Sequence, residues 1–121
     1  SSPHTKICDP SCGCGAFLIA ACKQFKKKFN KNIVDIIENN IYGVDILHYS
    51  VRRCKILLSL LAIINKEDEE NYNFNIYTRD SLNIDWKNLF PSIFKENGFD
   101  VVIGNPPYVK YQDLTKKLIQ N

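Results

Sequence analysis

The stretch Phe99-Asp100-Val101-Val102-Ile103-Gly104-Asn105-Pro106-Pro107-Tyr108 decides how the rest of the chain is read. Its run Val101, Val102, Ile103 lacks polar alternation, as expected of a parallel strand buried on both faces. The strand then runs into an amide, two prolines and an aromatic ring. Prolines fix the backbone and remove donors, which leaves carbonyl groups aimed outward. An ordinary loop rarely needs that rigidity directly after a buried strand. Asn105, Pro106, Pro107 and Tyr108 are therefore candidate functional residues.

Upstream, hydrophobic periodicity switches repeatedly between short runs and helical spacing. A short strand is predicted over Thr5 to Cys8, then a glycine-containing turn, then a helix from about Ala16 to Phe29. Phe17, Ala20, Ala21 and Phe25 would share one side of that helix. Ile33 to Ile37 reads as a helical turn. A second strand, Ile41 to Val44, leads into a helix from about Leu47 to Asn65, with Val51, Cys54, Leu58, Leu61 and Ile64 toward a sheet. Lys66 to Asn71 reads as a solvated acidic loop. A third strand, Phe74 to Tyr77, ends at Arg79-Asp80. A polar segment with Trp86 and a short helix near Pro91 to Lys95 then lead into the fourth strand, Phe99 to Ile103. The order βαβαβαβ predicts a doubly wound α/β fold, with about four parallel strands and flanking helices. Right-handed crossovers put the loops that follow the strands on one edge, where ligands of such sheets bind.

Composition sets the bounds. The 121 residues suit one small domain, and 45% apolar content is enough for a core. The longest apolar run, around Ile56 to Ile64, falls short of a membrane span. Without a signal-peptide pattern, a cytoplasmic protein is expected. A net charge of +3 permits nucleic-acid contact without arguing for it. Five cysteines in core and turn positions do not suggest a disulfide framework. Nor does the spacing of Cys8, Cys12, Cys14 and Cys22 match paired zinc ligands, so no metal is expected. Lys26, Lys27, Lys28 and Lys31 fall at the end of the sheet away from the ligand edge. Lys110, Lys116 and Lys117, after the proline-rich loop, are better phosphate candidates.

Each strand end carries a polar or glycine-rich group. Asp9-Pro10-Ser11-Cys12-Gly13-Cys14-Gly15-Ala16-Phe17 follows the first; its glycines allow a tight turn and close approach to a ligand, though a plain turn reads equally well. Asp45, in Gly43-Val44-Asp45-Ile46, can accept hydrogen bonds from ribose hydroxyls or cap the following helix. Asp80, in Arg79-Asp80-Ser81-Leu82, can accept from an adenine amino group or simply form a turn with Ser81.

Taken together, the four segments resemble motifs of the N6-adenine DNA methyltransferases of restriction–modification systems. The forms DPxCGxGxF, GVDI, xDSL and NPPY occur here in family order, with Cys14 where a serine is common. The resemblance implies a class I, Rossmann-like methyltransferase sheet and S-adenosylmethionine as cofactor. It implies that Asp9, Gly13 and Gly15, with Pro10 and Phe17 in the same turn, hold the methionine part. Asp45 beside Ile46 would bind the ribose, and Asp80 the adenine amino group, with Ser81 and Leu82 beside the ring. Asn105 and the Pro106 carbonyl would accept hydrogen bonds from the N6 amino group of a target adenine, and Tyr108 would stack on it. The partner implied is double-stranded DNA with that adenine flipped out, together with a specificity domain or subunit.

Residues 1–121 are thus expected to be a partial catalytic domain without its target-recognition domain. The edge of the fourth strand should be open, stability low and activity of this piece alone slight. The rival readings are a protein-glutamine methyltransferase, which shares NPPY, an RNA adenine methyltransferase, and a non-catalytic module that binds cofactor or assembles with a subunit.

Overall fold

A central strand flanked by helices on both faces organises the molecule. The computed structural model describes residues 2–67 and 70–103. In chain order these form β1 (Ile7–Asp9), α1 (Ala16–Phe29), α2 (Ile33–Asn39), β2 (Ile41–Asp45), α3 (His48–Ile64), β3 (Asn75–Thr78), α4 (Trp86–Leu89), α5 (Pro91–Lys95) and β4 (Val101–Val102). The strands make one four-stranded sheet in the order β3-β2-β1-β4, and every pairing is parallel. The expected doubly wound α/β architecture is what the chain forms.

The strand order explains the layers. Moving from β1 to β2 to β3, right-handed crossovers place α1, α2 and α3 on one face. There Leu18, Cys22, Phe25, Ile33, Ile36, Ile37, Val51, Cys54 and Leu58 form the larger core with Ile41 and Ile76. The return from β3 to β4 runs the other way, which puts α4 and α5 on the opposite face. Its core is aromatic: Phe90 lies edge-on to Tyr42, 5.3 Å between ring centroids, and to Phe99, 5.7 Å. Buried between these layers, β2 has Ile41 to Val44 all inaccessible and reads as a continuous apolar run.

Four details depart from the sequence reading. The buried side of α1 is Leu18, Cys22 and Phe25, and Phe17 is 56% exposed. Alanines at three of the first six positions of that helix let more than one apolar stripe be drawn, and the turn at Gly15 sets its rotation. On α3 the inner stripe is Val51, Cys54, Leu58 and Ala62, while Ile64 is exposed. Steps of three residues accumulate a drift against the 3.6-residue turn, so Ile64 has swung away from Val51's side. Residues 33–39 make a full helix rather than a single turn. Finally, β4 is not covered on both faces, since Val101 is 39% exposed. Its edge away from β1 has no partner strand among the described residues.

In the loop after α3, Lys66, Glu70 and Asn71 are exposed as expected, and Glu67 is the exception. Glu67 bends back to accept hydrogen bonds from the backbone N–H groups of Ile33 (2.7 Å) and Val34 (2.8 Å). It supplies the cap that α2 lacks locally, where Asn32 makes no side-chain cap bond. Among the described residues no helix is long and apolar enough to cross a membrane.

Candidate functional site

Because all the strands are parallel, their carboxyl ends share one edge. Backbone bonds tie the loops there: Cys12 N–H donates to Val44 O (2.9 Å), Arg79 N–H to Asp45 O (2.9 Å), and Ile103 N–H to Cys8 O (2.9 Å). The last bond brings the exit of β4 beside the exit of β1. Asn105, Pro106, Pro107 and Tyr108 lie outside the described residues, as do Lys110, Lys116 and Lys117.

The turn after β1 is built from the residues the sequence singled out. Asp9 is fully buried. One carboxylate oxygen, Oδ1, accepts from the Ser11 N–H at 3.0 Å; the other, Oδ2, is buried with no hydrogen-bond partner. Burial pushes its pKa up to about 6; the Ser11 N–H opposes the shift and the nearby Asp45 charge adds to it. A buried acceptor without a donor is costly unless something supplies one, so this oxygen is suited to a cationic or N–H-bearing ligand group. Pro10, next in line, is buried.

The two glycines do different work. Gly13 has φ +52°, and a Cβ there would meet nothing within 4 Å: open space lies where a ligand could approach the backbone. Gly15 has φ +91°, and a Cβ would fall 2.7 Å from the Cys54 sulfur on α3. Gly13 keeps the turn open; Gly15 lets it lie flat on α3. The Cys12 and Cys54 thiols hydrogen-bond to each other beneath the turn. Holding its proton in that bond, and then burial, push Cys12 far above the usual thiol range.

Asp45 closes the site from β2. Its Oδ2 accepts from the Gly13 N–H at 2.8 Å and its Oδ1 from the Leu47 N–H at 2.9 Å. The first bond joins two of the sequence-predicted residues directly. The second is a local turn before α3; Asp45 does not cap that helix, because the residue preceding it is Leu47, and no side chain caps it. Asp80 holds the loop after β3: Oδ1 accepts from the Leu82 N–H (3.0 Å) and Oδ2 from the Asn83 amide (2.6 Å). Its turn-forming role is thus present. Ile46, 64% exposed, and Leu82 add apolar surface in the loops after β2 and β3, and Phe17 does so after β1.

Cys54 was not singled out from the sequence as part of this site. The periodicity of α3 placed it toward the core, but no spacing signals contact with a glycine nearly forty residues upstream. The lysine group sits at the amino edge as expected, where Lys31 donates to Pro3 O (2.9 Å) and Asn40 Oδ1 (2.6 Å). A cleft of about 480 Å³ between α2 and the loop after α3 also lies away from the strand exits and is lined by Asp35, Glu38 and Glu67.

The geometry can now be set beside known proteins. The family model of the Eco57I restriction-modification methylase matches residues 39–121. The chain is also similar to the methylase subunit of the type I restriction enzyme MpnII of Mycoplasma pneumoniae (strain ATCC 29342 / M129 / Subtype 1), 30% identical over 103 residues. That match covers 84% of this chain and 17% of the relative, so the chain spans about a sixth of the relative's length. With more than half its length matched by the family model, the chain belongs to the Eco57I restriction-modification methylase family.

Proposed function

We propose that this chain is the cofactor-binding and catalytic portion of an S-adenosylmethionine-dependent methyltransferase acting on the N6 amino group of adenine in DNA. The observation that carries the reading is the pairing of β1 with β4, which gives the glycine turn and the strand leading to Asn105 a common edge. The family supports DNA modification, and a relative that is one subunit of a larger enzyme supports a separate specificity subunit as partner.

The residues present fit the cofactor. The unpaired Oδ2 of Asp9 suits its ammonium group, the open space at Gly13 admits its methionine part, and Asp45 keeps lone pairs free for ribose hydroxyls. Phe17, Ile46 and Leu82 offer apolar surface for its ring, with Asp80 as acceptor for the ring amino group. When bound, the cofactor supplies an electrophilic methyl group on a sulfonium.

The exocyclic nitrogen of adenine is a poor nucleophile because its lone pair is delocalised into the ring. The Asn105 side-chain oxygen and the Pro106 carbonyl, held rigid by Pro107, would accept its two N–H bonds. Drawing both toward tetrahedral geometry localises the lone pair. Such preorganised acceptors act by position and dipole, without a covalent intermediate. Tyr108 would stack on the extruded base, a contact of roughly 1–3 kcal/mol that offsets much of the cost of flipping.

The test is incubation of the chain with methyl-labelled cofactor and, separately, DNA, RNA and a glutamine-containing polypeptide. Slow incorporation recovered as N6-methyladenine in DNA is expected. Label in RNA or in glutamine would replace the reading with another substrate, and cofactor binding without transfer to any of them would favour a non-catalytic module.

A further inference from the structure

Two thiols that methyl transfer does not use lie directly under the turn after β1. Cys12 belongs to the turn and Cys54 to the inner side of α3; both are buried, and they hydrogen-bond to each other. The pair is asymmetric. Cys12 donates its S–H, which lowers the Cys54 thiol from its usual range against the opposing effect of burial, and Cys12 keeps its proton. A sulfur biased toward thiolate, already in contact with a protonated thiol, is the arrangement from which a disulfide closes.

Hydrogen peroxide, close to water in size, suits a pair this enclosed. Open space beside the backbone of Gly13, the neighbour of Cys12, gives a small molecule a way to the turn. Attack of the Cys54 sulfur on one peroxide oxygen breaks the O–O bond, leaving a sulfenic acid on Cys54 and one water. The Cys12 sulfur then attacks the Cys54 sulfur, and the hydroxyl leaves with the Cys12 proton as a second water. Two thiols thus lose two electrons and two protons to one peroxide. Closure has a mechanical consequence. Sulfurs held apart by a shared proton must approach to about 2 Å, so one side has to move. Val51, Leu58 and Ala62, buried beside Cys54, hold α3 in place. Gly15 has no slack, since a Cβ there would already fall 2.7 Å from the Cys54 sulfur. Gly13 has room to move, and its N–H is what Asp45 Oδ2 holds at 2.8 Å. We propose that Cys12 and Cys54 form a peroxide-sensitive modification site whose closure to a disulfide draws the turn toward α3, releases the Gly13 N–H from Asp45 and lowers affinity for the cofactor. The effect on the cofactor rests on the turn being the S-adenosylmethionine site; the cross-link and the release of Gly13 do not.

The chain is treated with hydrogen peroxide, its remaining thiols are alkylated, and the digest is mapped by mass spectrometry. Hydrogen exchange at Gly13 and calorimetric titration with S-adenosylmethionine are measured on the same sample. Expected are a Cys12–Cys54 link that dithiothreitol removes, Gly13 exchange at least about tenfold faster and cofactor affinity at least about tenfold lower, both reversed on reduction. Cys54→Ala should show neither change on peroxide treatment, and Cys14→Ser should still form the link. A link from Cys54 to Cys22 or Cys14 instead, or Cys12 and Cys54 left unlinked while the exposed Cys14 is oxidised, overturns the proposal. So does a cross-linked chain whose Gly13 exchange matches that of the reduced one, or one that binds the cofactor equally well. The link and faster exchange in a chain that binds no cofactor in either state support the modification site and overturn the cofactor reading of the turn.

Discussion

The Asp45 carboxylate reaches from the end of β2 to hold the Gly13 N–H at 2.8 Å, so two neighbouring strand ends are clasped through one side chain. Its other oxygen holds Leu47 at the entry to α3. Removing the side chain frees both loops. Asp45→Ala should lower stability by about 1–3 kcal/mol and speed hydrogen exchange at the Gly13 amide. Exchange there at the wild-type rate would mean that the clasp contributes nothing.

The buried Asp9 gives a pH signature with a definite sign. A carboxyl whose pKa rises on folding, here to about 6, binds more protons folded than unfolded between roughly pH 4 and pH 6. Its contribution is most favourable below that window. Stability therefore falls as pH rises through it, by an amount of order 2–3 kcal/mol. Affinity for a cationic cofactor should move oppositely, rising as Asp9 ionises. Asp9→Asn should flatten both profiles, raise Tm at neutral pH and weaken the cofactor. Thermal melts and calorimetric titration across this range check it; an unchanged Tm–pH profile in the variant would refute the assignment.

The two glycines should fail in different ways. Gly15→Ala forces a Cβ against the Cys54 sulfur at 2.7 Å in a left-handed backbone, so it should destabilise the fold by about 1–3 kcal/mol. Combining it with Cys54→Ala should recover the steric part and leave the backbone part. Gly13→Ala has open space and should cost only about 1 kcal/mol, while reducing cofactor affinity sharply. Denaturant melts and binding assays of the three variants separate these outcomes. Equal losses of stability for the two glycines would contradict them.

Glu67 should prove to be the cap of α2. Glu67→Ala removes the acceptor of two N–H groups at 2.7 and 2.8 Å and should lower stability by about 1–2 kcal/mol, with increased exchange at Ile33 and Val34. An effect within error of zero would return that loop to solvent.

Asn105→Ala should abolish methyl transfer and leave cofactor affinity nearly unchanged. Transfer assays paired with calorimetry check this, and a variant that methylates at the wild-type rate would contradict the role given to Asn105.

Element order was legible because each segment's period matched its state: Ala16–Phe29 was bounded by the glycine turn before it, and Ile41–Val44 by its unbroken apolar run. The Gly13–Asp45 neighbourhood followed from the rule that parallel strands exit on one edge. Rotations were harder. Alanine-rich α1 offered alternative apolar stripes, and the choice between Leu61 or Ile64 and Ala62 on α3 depends on accumulated helical drift. Contacts between residues far apart in the chain, Gly15 with Cys54 and Glu67 with Ile33, leave no local signature at all. They arise only once the layers have packed.

The most direct measurement is a nitrogen–proton correlation spectrum of the labelled chain titrated with S-adenosylmethionine. Shifts at the amides of Gly13, Gly15, Asp45 and Asp80 and at the Asn105 side-chain amide, with Lys31 and Asn40 unmoved, are expected. Perturbation of Lys31 and Asn40 instead, or no response at any of these positions at saturating cofactor, would contradict a shared rim for methyl donor and target amine.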